Sequence, residues 1–393
     1  MNMTLRPKTV DLGEIIAPAT VDRVGDNNMP ILSMTMHDGL VDQSSKFKKR
    51  VASNDLSTYR AVRRGQLVVG FPIDEGVLSF QNLYEMAAVS PAYGVWDLRR
   101  SGSVDCTYLE RFLRSPTALA YYAAKLRSTT ARRRSLDRGT FLALPVPLPP
   151  LAEQRRIAAI LDQADALRRL RRRALDHLNT LGQAIFHEMF VARPSDWPSV
   201  KIDEVISNAR TGPFGSQLLH SEFVDSGIPV LGIDNVVSNE FVWAEPRFIT
   251  AEKYRELKRY TVTPGDVLIT IMGTCGRCAI VPDDMPTAIN TKHICCLTPD
   301  RSCITSQYLR AAFLMHPLVL RQLGVEAKGA VMPGLNMGII KKTEIPLPPL
   351  DLQLRFGERM GRILRQDRDT RRQATSLDSL FASLQHRAFT GQL

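Results

Sequence analysis

An α+β chain in which one plan is used twice, globular domain then long helix, is what the sequence predicts. Three observations carry this expectation. The pentapeptide PLPPL occurs at 147–151 and again at 346–350, an offset of 199 residues. A heptad-like apolar stripe follows each copy. Each half before it reads as short apolar strands followed by a helix.

The repeat extends well beyond five residues. Downstream of PLPPL the match runs without a gap: Gln154 meets Gln353, Arg156 meets Arg355, Leu178 meets Leu377, Leu181 meets Leu380, His187 meets His386 and Phe190 meets Phe389. Upstream the offset drifts by a residue or two, as loop changes in diverged copies require. Pro30-Ile31-Leu32 matches Pro229-Val230-Leu231, Gly65-Gln66-Leu67 matches Gly265-Asp266-Val267, and Tyr108-Leu109 matches Tyr308-Leu309. A period near two hundred residues is a duplication of a whole domain plan and not a solenoid of short units. The boundaries expected from this are a first globular domain at 1–145, a PLPPL segment with its helix at 146–194, a second globular domain at 195–344, and a second PLPPL segment with its helix at 345–393.

Within the halves, GIPVLGIDNV, DVLITIMG, CAIVP and HICCLTP read as strands and TSQYLRAAFLMHPLVLRQL as a helix. MPILSM, QLVVGF and YGVWDL followed by VDCTYLERFLRSPTALAYYAAKL repeat that order in the first half. Proline stiffens each PLPPL and biases its neighbours away from helix. The helical patterns that follow are about forty residues long, hence ~60 Å. In the first, positions 157, 160, 164, 167, 171, 174, 178, 181, 185 and 188 form a seam that is apolar at eight of ten places, with Ile157, Ile160, Leu167, Leu178, Leu181 and Ile185 as its packing residues. The second keeps part of it (Phe356, Ile363, Leu377, Leu380, Leu384) and shifts the rest by one (Met360, Ala374, Phe381, Ala388). Neither stripe is stable in water alone, so the two helices are expected to pack as an antiparallel intramolecular coiled coil.

Composition narrows the function classes. The chain has 393 residues, 44% hydrophobic and 23% charged, as a water-soluble protein has. No apolar run approaches a membrane span and the first residues carry no signal-peptide core, so a cytoplasmic protein is expected. The net charge is +11, which points to a polyanionic partner. It is unevenly spread: +6 over 1–150, +3 over 151–194, −1 over 195–349 and +3 over 350–393. Arginines 168, 169, 171, 172 and 173, and 365, 368, 371 and 372, lie mid-helix, interleaved with aspartates. They are either a phosphate-contacting stretch of the rod or a solvated face that meets acidic patches of partner subunits.

The sequence lacks the common catalytic signatures. There is no G-x-x-x-x-G-K-[ST] phosphate loop, GVEAKGA at 324–330 lacking the spacing, and no G-x-S-x-G elbow or H-E-x-x-H helix. The glycine loop and NPP[YF]-type motif of adenine methyltransferases are also absent. Cys275 and Cys278 form a C-x-x-C, with Cys295 and Cys296 seventeen residues on. As ligands they would be a zinc site. Against this, adjacent residues in a strand point to opposite faces, and GTCGRC reads as a turn, so no metal is expected.

TGPFGSQL at 211–218, GIPVLGIDNV at 227–236, PGDVLITIMGTCGR at 264–277 and LNMGIIKKTEIPLPPL at 335–350 resemble a target recognition domain and the conserved region after it in the specificity subunits of type I restriction–modification systems. Both halves follow that plan, so the resemblance covers essentially the whole chain. The first half departs in having no counterpart of GPFGSQL, and GFPIDEG where the second has ITIMGTCGR. The resemblance implies two target recognition domains, each reading one half of a bipartite, asymmetric DNA target. Two modification subunits would dock on the helices and bring S-adenosylmethionine; restriction subunits, where present, would bring ATP and magnesium, and this chain would bind no cofactor and catalyse nothing. A rod between two readers would act as a ruler, with half-sites about one helical turn apart, roughly 34 Å.

Candidate DNA contacts in the first domain are its basic runs Lys46, Lys48, Lys49 and Arg50; Arg63 and Arg64; and Arg132, Arg133 and Arg134. In the second they are the loop Gly212, Phe214, Gly215, Ser216 and Gln217, whose glycines allow close backbone approach and whose glutamine can reach a base edge, with Lys292, His293 and Lys328 beside it. The competing reading of GPFGS is a tight structural turn. The competing reading of the chain is a duplicated scaffold that binds protein or RNA through the same coiled coil. An enzyme built on the cysteines is a third.

Overall fold

The structure, a computed structural model, describes residues 8–36, 38–46, 56–99, 102–126, 134–192, 197–324 and 334–393. It divides into two compact units, residues 1–172 with 372–393 and residues 173–371. The division runs through the middle of both long helices, Leu151–Phe190 and Leu350–Thr390. Each unit thus holds one globular domain, half of its own helix and half of the other.

In the first unit a short antiparallel ladder, Thr9–Asp11 against Pro145–Pro147, joins the domain's start to its end. An antiparallel sheet follows in the order Ile16–Pro18, Gly94–Leu98, Leu67–Val69, Leu78–Phe80. Alternation along these strands feeds two cores. Leu67 and Trp96 face a core with Leu109, Phe112 and Val146, while Val68 and Val95 face another with Leu32, Leu40 and Val62. That is why the strands read as continuous apolar runs: both faces of the sheet are covered.

The second unit repeats the plan. Ser199–Lys201 pairs with Glu344–Pro346, and the sheet order is Ile206–Thr211, Ile294–Pro299, Val267–Thr270, Cys278–Ile280. Val267, Ile269, Cys295 and Leu297 face one core; Leu268, Ile294 and Cys296 face the other. A second sheet, Phe248–Ile249, Ile228–Leu231, Ala288–Asn290, Thr261–Val262, contains a parallel pairing, Val230 opposite Ile289. The first unit keeps the same parallel pairing as a single bridge, Ile31 to Ala88. There a hairpin, Leu32–Thr35 with Gly39–Asp42, replaces the loop that follows Leu231 in the second unit. Even a turn is duplicated: Gly65 and Gly265 both sit at φ +84, a left-handed conformation that glycine adopts without steric cost.

Two expectations need correction. Each domain's single helix is two: Cys106–Leu113 and Pro116–Lys125, and Ser306–Met315 and Pro317–Gln322. In both copies a proline at the first position opens the second piece, and the residue before it, Ser115 or His316, accepts a backbone N–H as its cap. The coiled-coil seam is also shifted. Along the second helix the sheltered residues are Gln353, Phe356, Met360, Ile363, Asp367, Thr370, Ala374, Leu377, Phe381, Leu384 and Ala388, alternating by three and four. The first helix shelters the same phase, with Ile157, Leu161 and Ala164 buried in the first unit and Gly182 in the second, while Phe186 and Phe190 near its end are buried one position off that phase. Ile160, Leu178 and Ile185 are half-buried. Leu167, Leu181 and Leu380 are 52, 47 and 50% exposed and lie off the seam. Leucines outside the true stripe, and polar residues such as Asp367 and Thr370 inside it, made the other phase look more apolar.

Within each unit the two helix halves run antiparallel. In the first, Ile157, Leu161 and Ala164 pack with Phe381 and Ala388, and Phe389 meets Tyr108 and Phe112 edge-on. In the second, Phe186 and Phe190 pack on Phe356 and Tyr308.

Each long helix is tied to its own domain by a buried glutamine. Gln154 Oε1 accepts from the Asp105 N–H at 2.9 Å, and its Nε2 donates to the carbonyls of Ser103 and Pro149 at 3.1 and 2.8 Å. Gln353 makes the same three bonds to Thr305, Cys303 and Pro348 at 2.8, 3.0 and 2.9 Å. Tyr108 and Tyr308 donate their hydroxyls to the carbonyls of Pro147 and Pro346 at 2.7 and 2.6 Å. Replacing Gln154 or Gln353 by alanine removes three hydrogen bonds to the backbone, most of them part-buried, and should cost about 2–4 kcal/mol each. Because the sites lie in different units, the double variant should lose the sum to within about 0.5 kcal/mol, as urea titration would show; a much smaller combined loss would mean that the two clamps share one load.

Candidate nucleic-acid interface

In the first unit the described arginines nominated from sequence are partnered. Arg63, at the end of the strand Arg60–Arg63, lies 3.9 Å from Asp97, and Arg64 donates to Glu85 at 2.8 Å and to the Asn82 carbonyl at 2.6 Å. Both pairs are well exposed, and such pairs contribute little, so a phosphate can displace the carboxylate. Arg134 differs. Half-buried, it bridges Asp74 and Glu75, which hold its guanidinium above its ordinary value. Its carbonyl also accepts from Ile73, so its role there is to pin a turn. Lys46 ends the short helix Gln43–Lys46. Lys48, Lys49, Arg50, Arg132 and Arg133, and Lys328 of the second domain, lie outside the described residues.

The second unit brings together what the sequence scattered. Gly212 follows the strand Ile206–Thr211 and lies against the backbone of Asn290 and Thr291; a Cβ there would come within 2.0 Å of the Asn290 carbonyl oxygen. No side chain fits, so glycine is required for close approach. This lays the Gly212–Gln217 loop beside Lys292 and His293, the next two residues. The Thr291 N–H bonds the Leu231 carbonyl and the Ile271 N–H bonds the His293 carbonyl. Gly273 packs near Ile233. The motif segments 211–218, 227–236 and 264–277 therefore converge at one end of this domain. Burial holds the His293 imidazole below its ordinary pKa, assisted by Lys292, which favours the neutral ring.

The loop itself is a built turn with an open tip. Gly215 has φ +57 with nothing near its missing side chain, and Phe214 is 53% exposed. Leu218 packs into a small core with Tyr260, and Gln217 accepts from the Tyr260 hydroxyl at 2.8 Å and from its own loop's Phe214 N–H at 3.2 Å. The Arg259 guanidinium stacks 4.8 Å from the Tyr260 ring centre. Sequence reasoning missed Arg259 and Tyr260; the basic-aromatic run KRY at 258–260, just before a strand, was the available signal.

Beneath this surface the sheet carries a buried ion pair, Arg210 with Asp266. Asp266 also accepts from the Thr263 N–H at 2.8 Å, from Thr298 at 2.7 Å and from the Cys296 thiol at 3.3 Å. The first unit has Gln66 at the matching place, accepting from Arg63 N–H and donating to Asp97, both at 2.8 Å. Four of the nine mid-helix arginines are ion-paired as well. Arg168 pairs with Asp165 and Asp378, Arg169 with Asp165 and Asp38, Arg172 with Asp378, and Arg371 with Asp367. Asp162 and Asp165 further bind Arg111. These four guanidiniums are thus answered by aspartates of the same unit.

Cys295 and Cys296 face different cores, and among the described residues no three His, Cys, Asp or Glu side chains are grouped so as to hold a metal ion. Burial pushes the Cys278 and Cys295 thiols up to about 12 and the Cys296 thiol well above its ordinary value. Alkylation of the native protein at pH 8 should thus spare these three and reach only Cys106, Cys275 and Cys303, which are partly exposed. Rapid modification of Cys296, read by peptide mass spectrometry, would contradict the buried-strand assignment. Gly212→Ala should destabilise the second unit by several kcal/mol through its clash with main chain, seen as an early unfolding step.

Comparison with known proteins agrees with this architecture. The model of the family described as the type I restriction modification DNA specificity domain matches residues 112–180 and 194–373, more than half of the chain. The chain is 24% identical over 269 residues to the type I restriction enzyme MjaVIII specificity subunit of Methanocaldococcus jannaschii, and 24% identical over 278 residues to the EcoBI specificity subunit of Escherichia coli. These alignments cover 62 and 63% of this chain and 62 and 58% of those relatives, so they span about six-tenths of the curated proteins. Among solved structures, the type I restriction–modification S subunit of M. genitalium aligns over 99% of this chain and 97% of its own, with TM-score 0.62 and 13% identity. A chain from a study of complex assembly and conformational transition of the type I R-M system aligns over 99 and 98%, with TM-score 0.57 and 18% identity. At such identities these two speak to the fold. No helix among the described residues is long and apolar enough to cross a membrane. Two copies of one domain plan, each closed by its own glutamine-clamped helix, together with a family match that spans more than half of the chain and reaches into both copies, place this chain in the type I restriction–modification DNA specificity family.

Proposed function

We propose that this chain is the DNA sequence-specificity subunit of a type I restriction–modification complex, reading a bipartite, asymmetric target. The observation that carries this is the pairing of like frames with unlike surfaces. Both domains share a sheet order, a duplicated glycine turn and a glutamine clamp. They differ where a reader would touch DNA: a hairpin in one, a glycine loop converging with Lys292 and His293 in the other. Frames alike but surfaces unlike suit two half-sites of different sequence.

In this reading the long helices set the half-site spacing and carry two modification subunits, which supply S-adenosylmethionine and the methylation chemistry. Restriction subunits, where present, supply ATP- and magnesium-dependent translocation and cleavage. The chain itself binds no cofactor, catalyses nothing and works in the cytoplasm. The charge distribution assigns unequal shares to the domains. The first, at +6 over 1–150, attracts the duplex by its field, while the second, near neutral, relies on shape and specific contacts.

Binding of the complex with its modification subunits to random and target duplexes across a salt series tests the reading. Affinity should fall steeply with salt, with a sequence preference that persists; weak salt dependence without preference would favour the protein- or RNA-binding scaffold. Inserting one heptad into each long helix, at matching positions, should change the accepted spacer and leave both half-sites' base preferences intact. Altered base preference with an unchanged spacer would refute the ruler. Exchange of residues 1–145 for a relative's domain should change one half-site only.

A further inference from the structure

We infer that Gln217 reads its half-site as a hydrogen-bond donor only, selecting guanine, and that Tyr260 is the positioning residue that imposes this choice. The inference rests on the reading of the chain as a DNA-specificity subunit and goes beyond it by naming a residue, an atom and a base.

A glutamine amide is in general ambivalent, with one oxygen that accepts and one NH2 that donates. Used together, the two pair bidentately with adenine, whose major-groove edge shows N7 as acceptor and N6 as donor. In this loop the ambivalence is removed. The Phe214 N–H lies 3.2 Å from one terminal atom of Gln217, and since a backbone N–H can only donate, that atom must be Oε1. The Tyr260 hydroxyl donates to the same oxygen at 2.8 Å. Both lone-pair directions of Oε1 are then occupied. Nε2, on an exposed residue, has no partner among the described residues and is available to a ligand.

The turn is held stiffly enough for this to matter. Gly212 is seated on the Asn290–Thr291 backbone, and Leu218 is packed in the core beneath. Tyr260 itself is 8% exposed and capped by Arg259, so its hydroxyl has little freedom. A donor presented on such a mount finds its best match in guanine, which offers two acceptors, O6 and N7, on one edge. Adenine offers one acceptor, N7, beside an N6 donor that the Nε2 amine cannot answer, and thymine offers one oxygen beside a methyl group.

The test selects duplexes from a random library with the intact complex of this chain and its modification subunits, comparing wild type with Gln217→Ala and Tyr260→Phe. In wild type, one position of the half-site read by residues 195–344 should be guanine. Gln217→Ala should lower the preference there roughly tenfold or more and leave the other half-site unchanged. Tyr260→Phe removes one oxygen, frees one of the two lone pairs of Oε1 (the Phe214 N–H keeps the other) and should let that position accept adenine as well as guanine, a change of base identity that mere loosening of the fold would not produce. If Gln217→Ala fails to fold, judged by its unfolding midpoint, Tyr260→Phe decides alone. Loss of an adenine preference in Gln217→Ala, or unchanged motifs in both variants, would overturn the inference. If wild type selects no sequence, the specificity-subunit reading fails, and this inference falls with it.

Discussion

The structure depends on one buried amide used twice. Gln154 and Gln353 each answer three backbone groups at once, and each joins the first turn of a long helix to the cap of the domain helix it leaves. An unpaired peptide group in that setting is costly, so the helix has one admissible position on its domain. The proline segment contributes the other half of the constraint. Its residues pair with the domain's first strand, and the Tyr108 or Tyr308 hydroxyl fastens the carbonyl that ends the ladder. Entry strand, exit strand and long helix are thereby locked as one frame.

With that frame satisfied internally, the rest of each domain is free to diverge. The two sheets keep their order and their two-sided cores, yet the groups beneath the surface already differ. Asp266 carries a buried ion pair with Arg210, where Gln66 in the other copy makes neutral and charge-assisted bonds to Arg63 and Asp97. Burying an ion pair is costly unless its remaining lone pairs and protons are answered; Thr263, Thr298 and Cys296 answer the carboxylate, while the Arg210 Nε–H finds no partner among the described residues. A frame that tolerates either solution can present quite different loops above it.

Much of this was legible in the sequence, for a physical reason. The frame is made of residues whose roles are local and stereotyped: proline runs, a glutamine one turn into a helix, glycine at a left-handed turn, and strands of continuous apolar character. These recur at a fixed offset and so announce themselves. The coiled-coil phase was half legible. Ile157, Ala164, Phe356 and Ile363 belong to the seam under either spacing, whereas the choice between Ile160 and Leu161 depends on which polar residues the seam admits. Arg168, Asp367 and Thr370 lie in it because ion pairs and helix-backbone hydrogen bonds accommodate them, a context that no period reveals. The loop site was legible as a motif but not as a geometry. Nothing local to GPFGSQ says that Tyr260, some forty residues on, holds its glutamine, because that contact exists only once the second sheet has formed.

The central claim is that two unlike readers are mounted on one repeated frame. Single-molecule methylation sequencing of DNA from cells carrying this chain with its modification subunits tests it most directly. The account predicts a single motif made of two short, dissimilar half-sites separated by a spacer of constant length, with methylation in both. A palindromic motif, a single uninterrupted motif, or modification independent of sequence would contradict it.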